Sequence, residues 1–325
     1  MKKFIQAVLL LAAMTLTITG CGSENAEKTQ EPKVIHVGVQ QGMIQPFIAE
    51  KLDYFTDEFE KDGVKVQLDW FTLGPPMVEA FVANKLDFGF LGDQPVYQGL
   101  AQNVDLKIIG VNRTSDTGAG LIVRDDANIK ELADLKGKKI AVPFGSNMQP
   151  LLELYLEKAG LSHNDVEIIN LSFADEVTSL AAGDIQAAVT AEPYLTKAVH
   201  KGGITKLIDS KGIKLFTNPL VVRGEFAAQN PEFTVKMLKA FERAADWAAQ
   251  HPEEAIDIVA ESTKMDKADV KPVYDENKHD ILLTPERIES LVTGAQQSYK
   301  FGLLKKEVNV KEAIDLSYLE RAGLQ

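Results

Sequence analysis

Apolar and polar positions along the chain follow two periods, one typical of strands and one typical of helices. Residues 34–39 are a mostly apolar run, and residues 64–70 alternate apolar and polar side chains. Both patterns predict β-strands. Residues 77–84 and 151–159 instead place apolar side chains at helical spacing. Strands separated by single helices predict an α/β fold with a mainly parallel sheet.

The alternation of strand and helix restarts after Arg124, which indicates a second α/β unit. Residues 140–142, 166–171 and 185–190 are the strands predicted in this unit. Beyond residue 228 the pattern becomes mostly helical. Proline is favoured in the first turn of a helix because its missing N–H has no partner there anyway. It marks the helix starts that we predict at Pro231, Pro252 and Pro285.

This order of elements predicts a protein of two lobes with a cleft between them. We expect residues 34–123 and 219–325 to form lobe I, and residues 124–218 to form lobe II. The chain is expected to cross between the lobes near residues 122–124 and again near residues 219–222. Two such crossings form a two-strand hinge.

The N-terminus has the layout of a secretory signal. Residues 1–20 start with two lysines, continue as an apolar run and end in small and polar residues. The apolar run is shorter than the roughly 20 residues of a membrane-spanning helix. Ile18-Thr19-Gly20-Cys21 resembles the bacterial lipobox, in which the cysteine is acylated and becomes the mature N-terminus.

The lipobox resemblance predicts how the protein is held in the cell. We expect Cys21 to be the lipidation site and residues 21–33 to be a flexible tether, because they contain almost no large apolar groups. A lipid anchor places the protein at the extracytoplasmic face of a bacterial cell membrane. The alternative is an ordinary signal peptide that ends next to an unrelated cysteine.

Charge and cysteine content narrow the possible partners. The 325 residues include 35 Lys and Arg against 47 Asp and Glu, a net charge of −12. Phosphate neutralisation needs a basic patch, so no nucleic-acid partner is expected. A small anionic ligand stays possible, because a few local donors can hold it. The single cysteine excludes an internal disulfide, a cysteine-rich zinc site and an iron–sulfur cluster.

Catalytic signatures are missing from the sequence. The five histidines are scattered singly, and no pair has the spacing of a metal or nucleophile site. The chain also lacks a P-loop, a Gly-x-Ser-x-Gly elbow and a Gly-x-Gly-x-x-Gly motif. We therefore expect neither an enzyme nor a bound metal or cofactor.

Small polar residues and glycines follow the predicted strands at four places. Ligands of open α/β sheets bind beyond the carboxyl ends of the strands, and the free N–H groups at helix starts bind anions without a cation. We therefore expect neutral donors in these loops to hold an anion, although each loop could also be an ordinary helix cap. The candidate ligand-binding residues in the loops are Gln40, Gln41, Gly42, Gly74, Pro75, Gly92, Asp93, Gln94, Gly145, Ser146 and Asn147.

Two charged residues are further candidates for the cleft. Glu192 follows a predicted strand and could accept from a ligand amine, but a solvated loop glutamate fits the pattern equally well. Arg113 follows the predicted strand at residues 106–111 and could meet an anion with its planar guanidinium, or form a surface salt bridge. The aromatic residues expected beside these loops, which could pack on an apolar ligand tail, are Phe71, Phe144 and Tyr194.

Five stretches of the chain together carry a family resemblance. Residues 38–42, 74–76, 86–95, 135–142 and 145–147 resemble the solute-binding proteins of ABC importers for aliphatic sulfonates, nitrate and taurine. The resemblance covers about residues 34–325 and is most specific in the Leu-Asp-Phe-Gly-Phe-Leu-Gly-Asp-Gln-Pro run. Many relatives carry a tryptophan just before the Asp/Glu-Pro pair, whereas this chain has Thr190-Ala191-Glu192-Pro193.

The resemblance implies a periplasmic-binding-protein-like fold of type II and a transport function. It implies a monomer without a cofactor that binds a small anion, such as an alkanesulfonate, and delivers it to an ABC permease and its ATPase. Nitrate and taurine are the alternative ligands. A pyrimidine-synthesising (thiamine precursor) enzyme of the same fold is a weaker alternative, because that branch uses a cysteine cluster and this chain has one cysteine, Cys21.

Overall fold

A computed structural model describes residues 33–276 and 280–324 of the chain. The predicted signal peptide, Cys21 and the tether up to residue 32 lie outside the described residues. The strands are β1 (Val34–Val39), β2 (Lys65–Trp70), β3 (Phe88–Phe90), β4 (Leu106–Ser115), β5 (Ala119–Arg124), β6 (Lys139–Ala141), β7 (Glu167–Ile169), β8 (Ala187–Ala191), β9 (Ile204–Asp209) and β10 (Phe216–Arg223). The α-helices are α1 (Gln45–Lys51), α2 (Tyr54–Phe59), α3 (Gly74–Val82), α4 (Asp93–Ala101), α5 (Met148–Lys158), α6 (Phe173–Ala182), α7 (Tyr194–His200), α8 (Gly224–Gln229), α9 (Pro231–Gln250), α10 (Pro252–Thr263), α11 (Lys267–Asp275), α12 (Pro285–Lys300) and α13 (Ser317–Ala322).

The first five-stranded sheet has the order β2-β1-β3-β10-β4. Strand β1 runs parallel to β2 and β3, so the carboxyl ends of these three strands lie at one edge of the sheet. Strand β10 is antiparallel to both β3 and β4. Its start at Phe216 therefore lies at the same edge as the end of β4. The α/β prediction is confirmed, and the sheet is mixed rather than mainly parallel.

The second sheet has the order β7-β6-β8-β5-β9 and is also mixed. Strand β6 is parallel to β7 and β8, whereas β5 is antiparallel to β8 and β9. Strand β9 and helix α7 were not predicted from the sequence. Strand β9 lies at the edge of the sheet and is largely accessible to solvent, so its sequence lacks the continuous apolar run of a buried strand.

Within the described residues, the chain passes twice from one sheet to the other. Residues 116–118 connect β4 of the first sheet with β5 of the second, and residues 210–215 connect β9 of the second sheet with β10 of the first. Both crossings lie earlier in the chain than the sequence suggested. The predicted crossing points at residues 122–124 and 219–222 lie inside β5 and β10, which are continuous with the sheets around them.

In the described part of the chain, the first sheet has one large apolar core, and the second sheet has two smaller ones. The larger core includes Phe90 and Phe241, whose rings pack edge to face with centroids 4.8 Å apart. One of the smaller cores includes Leu151 and Tyr155 of α5, both fully buried. Burial of such side chains is worth about 1.5–3 kcal/mol each, so each sheet is covered by helices for a clear energetic reason. These cores stabilise the sheet edges that carry the strand-end loops.

Proline positions match the predicted helix starts. Helices α9, α10 and α12 begin at Pro231, Pro252 and Pro285. The Gly74-Pro75-Pro76 segment, which reads as a break in the sequence, is the first turn of α3. Across residues 33–276 and 280–324, none of the helices is both long enough and apolar enough to cross a membrane.

Candidate functional site

Two adjoining cavities lie where the strand ends of the two sheets face each other. Their volumes are about 210 Å³ and about 90 Å³. The residues that line both of them are Gln40, Gln41, Phe173, Ala191 and Glu192. A more open groove of about 780 Å³ lies elsewhere, beside His36 and Asp69. The paired cavities are the better candidate site because they lie beyond the carboxyl ends of strands from both sheets.

The larger cavity, which we call the aromatic cavity, has walls of Trp70, Phe71, Phe173 and Tyr194. The rings of Phe173 and Tyr194 stack with centroids 5.4 Å apart. Trp70 stacks on Phe47 with centroids 5.0 Å apart, yet half of Trp70 stays exposed. Such ring faces can cover an apolar group or a cation.

The smaller cavity, which we call the polar cavity, is lined by hydrogen-bonding groups. Arg113 at the end of β4 and Asn218 near the start of β10 are paired across the two strands. Asn147, from the segment before α5, donates through Nδ2 to Oδ1 of Asn218 at 3.3 Å. Ser115 and Gly92 complete the part of the wall that the first sheet supplies.

Side chains from the two sheets meet across the cleft. The Tyr194 hydroxyl donates to Oε1 of Gln41 at 2.8 Å, in addition to the Asn147–Asn218 contact. Gly145 has a φ of +75°, and a Cβ atom at this position would lie 2.8 Å from Cγ of Pro75. The two walls of the cleft are therefore in direct contact at these points.

Arg113 is the cation of the polar cavity, and two carboxylates surround it. Burial lowers the pKa of Arg113, and the charges of Glu276 and Glu192 partly offset that effect. Arginine stays charged at all relevant pH values. Burial and the Glu192 charge raise the pKa of Glu276, whereas Arg113 lowers it. The Arg113 guanidinium also donates to the carbonyl oxygen of Gly118 in the first crossing at 3.4 Å.

Glu192 lies at the junction of the two cavities and is buried. Its Oε1 accepts from the Thr196 hydroxyl at 2.9 Å, and its Oε2 accepts from the Thr196 backbone N–H at 3.1 Å. These bonds fix the carboxylate on the first turn of α7. Each carboxylate oxygen keeps a further lone pair for another donor.

Six of the predicted site residues line the cavities. They are Gln40, Gln41, Gly92, Arg113, Asn147 and Glu192. Phe71 and Tyr194 also lie where the sequence analysis expected aromatic contacts. Phe144 is exposed and lines neither cavity; its backbone N–H donates to Oδ1 of Asn170 instead.

Three predicted polar side chains are used inside the fold and do not line the cavities. Asp93 is 1% exposed, and its Oδ2 accepts from Lys214 Nζ at 2.6 Å. The Gln94 Oε1 accepts from the Ser298 hydroxyl at 2.6 Å. The Ser146 hydroxyl donates to the Pro143 carbonyl oxygen at 2.6 Å. Each of these side chains is already paired in the interior and is a structural group. Gly92 and Asn147, the N-caps of α4 and α5, do line the polar cavity. The expectation that helix-start donors hold the anion stays a prediction.

The remaining predicted residues also lie outside the two cavities. A Cβ atom at Gly74 would lie 2.2 Å from Cγ of Pro95, so this glycine lets α3 and α4 approach closely. Pro75 faces Gly145, as described above. Gly42 packs near the backbone of Glu192. These residues shape the loops and their mutual contacts.

Several cavity residues were not recognised in the sequence. Trp70 ends β2 and Thr72 follows it, and Phe216 and Asn218 lie near the start of the antiparallel strand β10. Phe173 is the first residue of α6, whose N-cap Ser172 accepts from the backbone N–H of Asp175. The Ser-x-x-Asp spacing is a known helix-start signal and could have placed Phe173 at the cleft.

A buried carboxyl group lies close behind the cavity wall. Glu176 of α6 is fully buried, and Thr190 lies beside it. Burial raises the pKa of Glu176 well above its usual 4.5, and the Thr190 contact offsets only part of this. The folded protein therefore keeps a proton at pH values where the unfolded chain has lost it.

We expect Glu176→Gln to remove a pH dependence from folding stability. The stability that Glu176 contributes to the wild type is fully present below the unfolded-state pKa of about 4.5. It is lost as pH rises toward the folded-state pKa, where the free energy of unfolding falls by up to about 1.4 kcal/mol per pH unit. Urea unfolding at about pH 4, 5.5 and 7 measures this. The variant should match the wild type at the lowest pH and exceed its stability increasingly above it. Glu167→Gln, at an exposed site on β7, is the control. Parallel profiles for wild type and Glu176→Gln would contradict the assignment.

The lining residues determine what chemistry the site supports. Among the described residues that line the two cavities there is one guanidinium, one carboxylate, several carboxamides and five aromatic side chains, without a histidine, cysteine or lysine. Within the described part of the chain, no group of three or more His, Cys, Asp or Glu residues could hold a metal ion. The arrangement suits the binding of a small organic ion.

Comparisons with known proteins agree with this interpretation. Residues 41–255 match the family model described as NMT1/THI5 like. A Bacillus subtilis (strain 168) protein, provisionally named an aliphatic sulfonates-binding protein, is 31% identical over 99% of this chain and 97% of its own length.

Two solved structures share the fold. One is the periplasmic aliphatic sulphonate binding protein SsuA from Escherichia coli, at 25% identity and a TM-score of 0.77 over 88% of this chain and 92% of that one. The other is the alkanesulfonate-binding protein SsuA from Xanthomonas axonopodis pv. citri bound to MOPS, at 24% identity and a TM-score of 0.80 over 88% and 99%. These neighbours are binding proteins.

Proposed function

Because the chain belongs to the NMT1/THI5-like family, we propose that it is an extracytoplasmic solute-binding protein that binds an organic sulfonate. It delivers this ligand to the permease of an ABC importer, which an ATPase drives. The single observation that carries the proposal is the pairing of an arginine-lined polar cavity with an adjoining aromatic cavity. A sulfonate head and a carbon tail are the two parts that such a site can hold.

Arg113 is the residue proposed to bind the sulfonate head. A guanidinium presents several N–H donors in one plane and pairs well with tetrahedral oxyanions. Asn147 and Asn218 lie in the same cavity and can donate through their amides after small rotations. Hydrogen bonds to a charged group are worth about 1.5–3 kcal/mol each.

Ligand binding is proposed to stabilise the closed cleft. Arg113 comes from the first sheet, whereas Phe173 and Glu192 come from segments of the second sheet. A ligand that contacts both walls binds the closed form better than the open one, and only this difference can shift the population. The closed surface is then what the permease recognises.

Nitrate and taurine remain the alternative ligands. Nitrate has no tail, so it would leave the four aromatic side chains of the larger cavity without a function. Taurine carries an amine whose N–H groups could donate hydrogen bonds to the Glu192 carboxylate. A thiamine-precursor enzyme is the third candidate, but the cavity lining includes no cysteine or histidine among the described residues.

We expect the protein to bind organic sulfonates and not to bind inorganic anions. The protein starting at residue 33 is titrated calorimetrically with butanesulfonate, taurine, nitrate and sulfate. Each sulfonate that binds should also raise stability, by roughly 2.7 kcal/mol at 100 times its dissociation constant. Tightest binding of nitrate would replace the sulfonate assignment, and the absence of binding by all four ligands would refute the proposed function.

Lipid anchoring at Cys21 is part of the proposal and has its own test. We expect Cys21→Ser to leave the precursor uncleaved or to release the protein into the medium, because the acylated thiol is lost. Metabolic labelling with a fatty acid and fractionation of the producing cells measure this. Normal processing with unchanged membrane retention would show that Cys21 is not the anchor.

A further inference from the structure

We infer that the natural ligand is a zwitterion whose sulfonate lies beside Arg113 and whose alkylated ammonium group lies in the aromatic cavity. The inference rests on the proposed function and specifies its substrate class. Its basis is the position of Glu192 in the lining of both cavities, together with the four aromatic side chains of the larger one.

The route between the cavities passes a carboxylate. Glu192 belongs to the lining of both cavities and is buried, with its oxygens fixed by Thr196. A ligand that extends from Arg113 into the aromatic cavity must therefore pass this charge. A hydrocarbon tail gains nothing from the carboxylate and takes away the water around it. A positively charged tail is attracted to it.

The charge balance of the cleft also calls for a cation. Arg113 has two carboxylate neighbours, Glu192 and Glu276. The Oε2 atom of Glu276 is buried without a hydrogen-bond donor among the described residues. Lys206 and Asp209, which also act on Glu276, carry opposite charges. A simple sulfonate would therefore add a third negative charge beside Arg113. An ammonium group on the same molecule would compensate for that addition.

The aromatic walls favour an alkylated ammonium over a bare one. Trp70, Phe71, Phe173 and Tyr194 surround a space of about 210 Å³. The negative faces of aromatic rings attract cations, and such cages recognise quaternary ammonium groups. A primary ammonium needs hydrogen-bond acceptors on several sides. Of the polar residues in this lining, Gln41 already bonds Tyr194 and Glu192 already bonds Thr196, and the others are Gln40 and Thr72. The cavity therefore suits a cation covered by methyl groups.

A matched pair of ligands tests the inference. The probes are 3-(trimethylammonio)propane-1-sulfonate and 4,4-dimethylpentane-1-sulfonate, which have nearly the same shape and differ in the charge of one central atom. We expect the ammonium compound to bind the wild-type protein roughly ten-fold more tightly in calorimetric titration. Equal affinity, or tighter binding of the uncharged tail, would overturn the inference and leave the proposed function intact. Failure of both sulfonates to bind would refute the proposed function itself.

Variants identify the groups responsible. Glu192→Gln should reduce the affinity ratio of the two probes to about one, because it removes the charge and keeps the shape. Trp70→Leu should lower the ratio while the neutral probe changes little. Glu79→Gln removes an equal charge from an exposed site outside both cavities and should preserve the ten-fold ratio. Melting temperatures confirm that each variant is folded. A ratio that survives Glu192→Gln would contradict the role of this carboxylate.

Discussion

Replacing Lys214 with methionine is expected to lower the free energy of unfolding by about 3–5 kcal/mol. Lys214 and Asp93 form a buried ion pair with a distance of 2.6 Å between Nζ and Oδ2, and their side chains are 4% and 1% exposed. Removing the cation leaves the Asp93 carboxylate buried without its charged partner. The unpaired charge, more than the lost attraction, makes the substitution costly.

This ion pair also connects the second crossing to helix α4, which packs on the first sheet. Lys214 belongs to residues 210–215, which connect the two sheets, whereas Asp93 starts α4 directly after β3. Lys214 Nζ additionally lies 5.1 Å from the ring centroid of Phe216. Loss of the pair is therefore expected to loosen the crossing as well as the helix start.

Chemical denaturation of the wild type and three variants measures the effect. Lys271→Met, in the exposed pair with Asp275 on α11, is the matched control and should cost less than about 1 kcal/mol. The double variant Asp93→Leu/Lys214→Met should recover part of the loss, because no unpaired charge remains. A loss below about 1 kcal/mol for Lys214→Met would contradict the assignment of a strong buried pair.

The sequence predicted several of the loops that line the candidate cavities, but not which of their side chains lie there. Gln40, Gly92, Arg113 and Glu192 all follow strands in the linear pattern, and the common edge of parallel strands brings such positions together. The rule that ligands bind beyond strand ends depends on the backbone alone. It therefore identifies candidate loops wherever the strands are recognised in the sequence.

The direction and partners of side chains could not be read from the local pattern. Asp93 follows a strand as Glu192 does, but its partner Lys214 is 121 positions away in the sequence and turns it into a structural group. Asn218 reaches the cavity because β10 runs antiparallel to its neighbours, a property that no local period reveals. Long-range pairing therefore decided which polar residues stayed free for a ligand.

Arg113→Met is expected to weaken sulfonate binding by about a hundred-fold or more. The substitution removes the single guanidinium of the polar cavity, and two charge-assisted hydrogen bonds are worth about 3–6 kcal/mol together. It also removes the positive charge that Glu192 and Glu276 share at this end of the cleft. Arg113→Lys should keep the charge and lose the planar arrangement of donors, so it should recover only part of the affinity.

Calorimetric titration of butanesulfonate into the wild type and the variants measures this loss. Ser146→Ala is the control for the alternative in which a helix-start hydroxyl holds the anion, and it should change affinity less than about three-fold, because its hydroxyl is bonded to Pro143. Melting temperatures separate lost binding from lost folding. If Arg113→Met stays within two-fold of the wild type while Ser146→Ala abolishes binding, the anion is held by the helix start before α5. The cavity at Arg113 would then lose its assigned role.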